Sequence, residues 1–492
     1  MPPISDKPVI AVVGGGFSGA AFALHFVRHH GDAARIVIIE PRSTLGAGLA
    51  YSTSDPAHRI NVPAGRMSLY PDLPDSFEAF VERRSEQDRD GNLLAPDGNP
   101  YPRRSVFGDY VAAEIAPLLA SGVVVHHRST VYSIARIANR WHLTDAQTES
   151  IIADVVVIAA THPSPAMPSA LSPVKNHPKL ISDVTVAEAL EPVGRDDALL
   201  IIGNGLTSAD VVASLAQQGH RGPITSISRR GLRSRGHPMS IQDPFGDFTT
   251  SPSRKASELL HRIRAAIREA KALGLTWHPV LDAVRTQGFA IWRALDIPAR
   301  RRIARLARPF WDAHRFRIAP QVEAVLDDAV SAGRLTILAA SLARVEASQA
   351  GFRVELRQRQ QATTSLDVDA IVVTTGPAHG QILRSQSFLQ ELAQAGFLTA
   401  CETGLGLACD LNANALGAEG QPIRDLFIAG PLARGTFGEL MGLPQVTEHA
   451  LLVSQKVAHH LALPELPGAK QQPHEPDDES DRALPALRSR AR

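Results

Sequence analysis

Cysteine is nearly absent from this chain: of 492 residues, only Cys401 and Cys409 carry a thiol. Their spacing fits neither a CxxC redox pair nor a zinc-ligand pattern, which excludes thiol–disulfide exchange and a structural metal as the central chemistry. They read as ordinary small buried side chains. An excess of one charge is missing too, since 51 Lys and Arg oppose 50 Asp and Glu for a net charge of +1. Such balance argues against nucleic acid or an anionic membrane surface as partner. No apolar run reaches membrane-spanning length, and the opening Met1-Pro-Pro-Ile-Ser-Asp-Lys7 has no basic stretch leading into an apolar signal core. The expectation is a soluble, cytoplasmic protein with no metal. HExxH and GxSxG are missing as well, which removes the zinc and serine hydrolases. What remains, with 44% hydrophobic residues, is enough for two or three domains with a substantial core.

The most informative stretch runs from Val9 to Glu40. An apolar run at 9–13 leads into Gly14-Gly15-Gly16-Phe17-Ser18-Gly19, and a helical pattern follows through Ala20, Ala23, Leu24 and Val27. A second apolar run at 35–39 ends on Glu40, 21 residues after Gly19. Strand, glycine turn, helix, strand and acid at that distance are the components of a dinucleotide-binding unit. In that reading Gly14 permits the tight turn, Gly16 lets backbone approach a pyrophosphate, and Gly19 lets the helix pack on the strand. Free N–H groups at the helix start would hold the phosphates, and Glu40 would accept hydrogen bonds from a ribose diol.

Residues 41–68 are rich in Gly, Pro and small polar residues and begin where a strand of this kind ends. Loops at such strand ends border the ligand crevice. His58, Arg59 and Asn61 are therefore candidate cofactor contacts. Helical patterns with Phe77, Phe80, Val81, Tyr110, Ile115 and Leu118 come next, followed by strands near 123–126, 131–134 and 140–144 and the apolar run 154–161.

The opening grammar then repeats. Residues 198–202 lead into Gly203-Asn204-Gly205-Leu206-Thr207-Ser208, with Ser208 in place of the third glycine, and a helix and a strand at 223–228 follow. Arg229 and Arg230 stand where the first copy has Glu40. Guanidinium groups bind a 2′-phosphate that a carboxylate repels, so the second copy should prefer NADPH over NADH. From about 245 to 330 the pattern is helical and holds three of the four tryptophans. There His314, Arg315 and Arg317 are candidate substrate contacts. Strands resume near 335 and 352. The run at 369–376 ends on Gly376, and a last strand at 425–429 ends on Gly430, before an amphipathic helix that follows Pro444. Gly376 and Gly430 are further candidate cofactor contacts. The expected fold is α/β with two Rossmann-like dinucleotide-binding domains: residues 1–190 and 346–462 form a discontinuous first domain, and 191–345 the second, with a helical insertion at about 245–330. Residues 463–492, rich in Pro and charge, should be a disordered tail.

With both glycine turns, the two Asp-initiated strands and the C-terminal strand–turn–helix in place, the chain resembles the two-dinucleotide-binding FAD/NAD(P)-binding flavoprotein monooxygenases. The stretches 46–68, 228–231, 311–320 and 430–435 are more narrowly similar to a bacterial branch that includes FAD-dependent urate hydroxylases and some amino-acid N-hydroxylating enzymes. The resemblance covers about residues 9–461. It implies FAD on the first domain, NADPH or NADH as co-substrate on the second, and insertion of one oxygen atom from O₂ into a small molecule through a flavin C4a-hydroperoxide. It also implies that the helix after Pro444 aims its positive end at the flavin pyrimidine. Urate, as in purine catabolism, is the leading substrate expectation. N-hydroxylation of an amino acid or amine is the first alternative, and a flavin-binding reductase without oxygenase activity is the second. Homo-oligomerisation is left open.

Overall fold

The computed structural model describes residues 7–88, 90–348, 351–358 and 363–467. In chain order the strands are β1 (Val9–Val13), β2 (Arg35–Ile39), β3 (Val124–His127), β4 (Val131–Ile137), β5 (Arg140–Asp145), β6 (Ser150–Ala153), β7 (Val155–Ile158) and β8 (Leu180–Ile181). They continue with β9 (Leu199–Ile202), β10 (Ile224–Ser228), β11 (Leu335–Ala347), β12 (Phe352–Gln358), β13 (Thr364–Val368), β14 (Ala370–Val373), β15 (Asn414–Leu416) and β16 (Pro422–Ile428).

Two open sheets result. The first has the order β15-β16-β7-β1-β2-β3, and all its pairs are parallel except β15 with β16. Its central strand β1 lies between β2 and β7, and residues 10–12 are wholly buried, as expected of a β-branched run covered on both faces. Helices Phe17–His30 and Gln445–His460 pack together against it. A small antiparallel sheet, β4-β5-β6, fills the crossover between β3 and β7. The second sheet has the order β13-β12-β11-β10-β9-β14-β8. Its central run β9 is buried like β1, and helices Leu206–Gln217 and Pro320–Ser331 pack on it.

The two units share a small device at their strand starts. The Asp154 carboxylate accepts the N–H of Val9 at 2.8 Å, and the Asp369 carboxylate accepts that of Ala198 at 2.7 Å. In each unit an acid that opens one strand holds the start of its neighbour.

Three boundaries differ from the sequence expectation, the first being residue 190, since β8 already pairs with β14 in the second sheet. The chain does not leave the second unit at residue 346: β11 to β14 all belong to the second sheet, and the return to the first comes with β15 and β16. The physical reason is β14, a four-residue apolar run buried on both faces, which is satisfied between β9 and β8 rather than at an edge. The helical insertion is also shorter than 245–330. Helix Pro320–Ser331 connects β10 to its parallel partner β11 and packs on helix Leu206–Gln217. It is the crossover that a parallel pair requires. The insertion proper holds the helices from Ala256–Ala272 to Arg308–Arg315. Most of the expected tail, residues 468–492, lies outside the described residues. Among the described residues no helix is long and apolar enough to cross a membrane.

Candidate functional site

The first glycine turn is closed to any other residue at two points. Gly14 has φ +103°, and a Cβ there would fall 2.6 Å from the carbonyl oxygen of Ala159. A Cβ at Gly19 would lie 2.1 Å from the Gly14 carbonyl oxygen, so this glycine sets how closely the helix sits on the turn. Gly16 caps helix Phe17–His30 without any side-chain hydrogen bond, while Arg28, His29 and His30 occupy the last turn. Basic residues at the far end and bare N–H groups at the near end suit an anion at the start. Glu40 is only 4% exposed. Its Oε2 accepts the Gly15 N–H at 3.0 Å, and its Oε1 accepts the Arg42 N–H and Nη1 at 3.1 and 3.0 Å. The acid thus braces the turn from within and is not a solvated strand end.

The segment after Glu40 ties the two units together. His58 bonds Thr53 through Nδ1 at 2.8 Å and reaches Ser214, on the second unit's glycine-turn helix, through Nε2 at 3.1 Å. Arg104, at the start of helix Arg104–Ala120, pairs with Asp210 on that same helix at 2.7 Å. The main-chain oxygen of Asn61 accepts the His237 Nε2 at 3.0 Å, and Arg59 is neutralised by Asp90 at 2.8 Å. These contacts are made between protein groups. They give His58 and Asn61 partners on the second unit.

The second turn repeats the first with different edge chemistry. A Cβ on Gly203 would lie 2.4 Å from the Thr374 carbonyl oxygen, which locks the turn against the end of β14. Gly205 caps helix Leu206–Gln217 without a side-chain hydrogen bond, and a Cβ added to it would meet nothing within 4 Å. Ser208, in the place of a third glycine, faces Ser226 at 3.3 Å. A cleft beside this turn is lined by Asn204, Gly205, Ser208, Arg233 and Ser234. Arg229 and Arg230 follow directly on β10 and are exposed, Arg230 stacking its guanidinium on Phe310 at 4.6 Å.

Between the two units lies a buried polar junction. The chain leaving β7 and the chain leaving β14 pair with each other at Pro165 and Pro377. The Ala166 N–H donates to the Gly376 carbonyl at 3.1 Å, and the Ala378 N–H donates to that of Ser164 at 3.2 Å. This brings His162 and His379 edge to face at 4.8 Å. Arg308 on helix Arg308–Arg315 reaches His379 Nε2 at 3.0 Å and Asp312 at 3.2 Å. From the other side come Arg434 and Glu439, which follow Gly430. Glu439 accepts Arg315 Nε at 2.8 Å and Trp311 Nε1 at 3.2 Å, and Trp292 donates to the Gly435 carbonyl at 2.9 Å. The insertion is thereby clamped onto the C-terminal turn of the first unit.

Burial dominates the electrostatics here. Desolvation, helped by Arg434 and Arg308, pulls the His162 imidazole down to about 4. The same effect, with His162 and both arginines, takes His379 to about 3. Burial beside Arg308 lowers Arg434 to about 10, and burial raises the Asp312 carboxyl. Both histidines are therefore neutral at neutral pH.

The three residues singled out in the insertion do not converge as a trio. Arg315 is spent on Glu439, Arg317 pairs with Asp282 at 2.7 Å, and His314 bonds its own helix at the Phe310 carbonyl at 2.7 Å with its ring against Trp277. Of the three, Arg315 lies nearest the junction through Glu439. His162, Arg308, Asp312, His379, Arg434 and Glu439 were not singled out. His162 had left a signal, since it directly follows the apolar run 154–161, whereas the similar run at 369–376 ends on Gly376. Gly430 has φ +75°, and its N–H donates to Nδ1 of the fully buried His449 at 3.1 Å. Burial holds His449 near 3, which leaves its ring neutral and Nδ1 free to accept.

Residues 11–163 match a family model described as FAD-NAD(P)-binding. No curated protein matches the chain significantly. Among solved structures, ornithine hydroxylase from Pseudomonas aeruginosa has a TM-score of 0.62 at 15% identity, over 92% of this chain and 99% of that one. L-lysine 6-monooxygenase from Pseudomonas syringae gives 0.60 at 19%, over 93% and 99%. Ornithine N-hydroxylase from Kutzneria sp. 744, in a structure with reduced FAD, NADP⁺ and L-ornithine, gives 0.59 at 16%, over 93% and 99%. At these identities the likeness shows that the fold is shared across nearly the whole chain.

Proposed function

We propose that this chain is an FAD-dependent, NAD(P)H-consuming monooxygenase that hydroxylates the nitrogen of a small amino acid or amine. The observation that carries the reading is the pair of uncapped glycine-turn helices, one edged by Glu40 and the other by Arg229 and Arg230, on either side of a buried junction with unpaired polar atoms. The first turn fits FAD: Gly16 and the N–H groups of Phe17 and Ser18 would take the pyrophosphate, and Glu40 the ribose diol. The second fits NADPH, with Gly205 at the pyrophosphate and Arg229 and Arg230 at the 2′-phosphate. Bound FAD would supply the activation of O₂ after reduction by NADPH.

The residues of this chain would do the rest. The start of helix Gln445–His460, next to the Gly430 turn, offers a positive dipole end to a reduced flavin. Clamping of the insertion by Glu439, Arg315 and Trp292 would keep water from the reacting centre. Arg308 holds His379, and Arg434 faces both histidines across the junction. Urate, expected first from the sequence, yields to the amine because the similar structures are those of ornithine hydroxylases and a lysine monooxygenase, and the junction mixes carboxylates with guanidiniums. A decisive assay measures FAD content, then NADPH oxidation with urate, with L-ornithine and L-lysine, and without substrate. Hydroxylamine formation coupled to NADPH use supports the proposal. Consumption of urate, or NADPH oxidation with no product from any of these, rejects it.

A further inference from the structure

We infer that Phe310, on the insertion, is a positioning residue for the second nucleotide site: its ring holds the Arg230 guanidinium in place and thereby strengthens the preference for a nucleotide with a 2′-phosphate. The inference rests on the reading of Arg229 and Arg230 above and deepens it by naming the side chain that orders one of them.

Arg229 and Arg230 leave β10 on the protein surface, and among the described residues neither makes an ion pair. Arg233, three residues on, shows the ordinary fate of a guanidinium in this segment, since Asp327 closes it at 2.5 Å. Arg230 is held differently. Its guanidinium carbon stands 4.6 Å from the centre of the Phe310 ring. A ring engages a guanidinium through its flat face, whereas a carboxylate takes the N–H edge and cancels the charge. Stacking therefore restrains Arg230 and leaves its N–H donors and its charge for an incoming anion. A long side chain loses rotamer freedom when it grips a ligand, and one already ordered loses less.

Phe310 in turn is fixed in place. Arg308, Trp311, Asp312 and Arg315 recur at helical spacing and share one face of helix Arg308–Arg315. That face is fastened: Arg308 bonds His379 at 3.0 Å, and Trp311 and Arg315 bond Glu439 at 3.2 and 2.8 Å. Phe310 lies on the opposite face and is 45% exposed. A lone exposed ring needs no explanation, but this one sits under a guanidinium from another element. The segment after β10 is tied to the same helix through the main chain, where the Arg235 N–H donates to the Ala313 carbonyl at 2.8 Å. Ring and guanidinium are thus carried by two backbones held against each other, and the insertion enters nucleotide choice through one aromatic side chain.

The test uses full-length, FAD-loaded protein and calorimetric titration with adenosine 2′,5′-bisphosphate and 5′-AMP, which differ only by the 2′-phosphate. The wild type should favour the bisphosphate. Phe310→Ala should reduce that preference about two- to fivefold, the size of an exposed cation–π contact, and in turnover the loss should fall on KM for NADPH and not on kcat. Phe310→Tyr should restore the preference because it keeps the ring face, while Phe310→Leu, apolar but without that face, should behave as Phe310→Ala does. In an Arg230→Ala background, Phe310→Ala should have no further effect. The inference is overturned if Arg230→Ala lowers the preference and Phe310→Ala does not, if Phe310→Leu matches the wild type, or if Phe310→Ala weakens both probes alike. It is also overturned if Phe310→Ala adds its full loss in the Arg230→Ala background. No preference in the wild type, or none lost on Arg230→Ala, would remove Arg230 from the 2′-phosphate edge itself, and the inference would go with it.

Discussion

Glu40 and Gly15 are 25 residues apart in sequence, and the carboxylate of one accepts the backbone N–H of the other at 3.0 Å in a buried setting. The acid at the end of β2 therefore holds the glycine turn at the end of β1, before any ribose is considered. Replacing it should act twice. Glu40→Ala leaves the Gly15 N–H buried and unpaired, at a cost of about 1–3 kcal/mol, and Glu40→Gln should recover part of that. Both should lose FAD more readily than wild type. Urea unfolding of the apo-protein measures the first effect and flavin stoichiometry after dialysis the second.

Gly430 should tolerate nothing larger. Its φ of +75° disfavours a side chain, and a Cβ would stand 2.1 Å from the Ser18 hydroxyl on the first glycine-turn helix. Gly430→Ala is expected to destabilise the fold by about 2 kcal/mol or more. Adding Ser18→Gly should restore only the steric part. A double-mutant cycle by chemical denaturation separates the two, and full recovery would show that the backbone angle carries no strain.

Arg229 and Arg230 should set cofactor choice. A 2′-phosphate offers each guanidinium a charge-assisted contact of about 1.5–3 kcal/mol. Arg229→Glu with Arg230→Glu should lower the NADPH-to-NADH ratio of kcat/KM about a hundredfold or more, at nearly unchanged activity with NADH. An unchanged ratio would remove both residues from the nucleotide site. The wild-type preference should also weaken with salt, since both side chains are exposed.

The ion pair of Arg315 with Glu439, whose side chains are 8% and 9% exposed, clamps the insertion to the C-terminal turn. Removing one partner strands the other, so Glu439→Ala should cost about 3 kcal/mol or more. The double variant Arg315→Met with Glu439→Leu should be markedly more stable than the single one, because no charge is left buried alone. Thermal unfolding compares them, and NADPH oxidation uncoupled from product should rise in the single variant if the clamp excludes water.

These residues also show where sequence reasoning reaches and where it stops. Gly14, Gly19 and Gly203 were legible because their requirement is local: turn, strand and helix lie within a few residues. The fold followed, since β1 and β9 announce themselves as apolar runs ahead of such turns. The junction was not legible. Arg434 and His162 are 272 positions apart, and nothing in either neighbourhood signals that the strands they follow, β16 and β7, pair as neighbours in the first sheet. Arg315 and Arg317 drew attention as charges in an aromatic stretch, yet each found a carboxylate far along the chain. The boundary at 346 was missed because β14 belongs by pairing to strands nearly 200 residues earlier.

The last prediction concerns acid. Burial pulls His25 and His237 down to about 4, and His449 to about 3. The unfolded chain titrates near 6.5, so below that pH it binds protons that the folded chain refuses. Stability is then fully present above about pH 7 and is lost as pH falls through 6.5 towards 4, by roughly 1.4 kcal/mol per unit for each such histidine. Steep acid unfolding should set in well above the carboxylate range. His25 isolates the effect, because it lies on helix Phe17–His30 away from the junction and, among the described residues, neither ring nitrogen makes a hydrogen bond of normal geometry. His25→Leu removes a buried, unpaired polar group, so it should be neutral or stabilising at pH 7.5 and should reduce the loss between pH 6.5 and 4.5 by about 2–3 kcal/mol. Urea midpoints at the two pH values measure it, and an unchanged pH slope in the variant would mean that His25 titrates alike in the folded and unfolded chains.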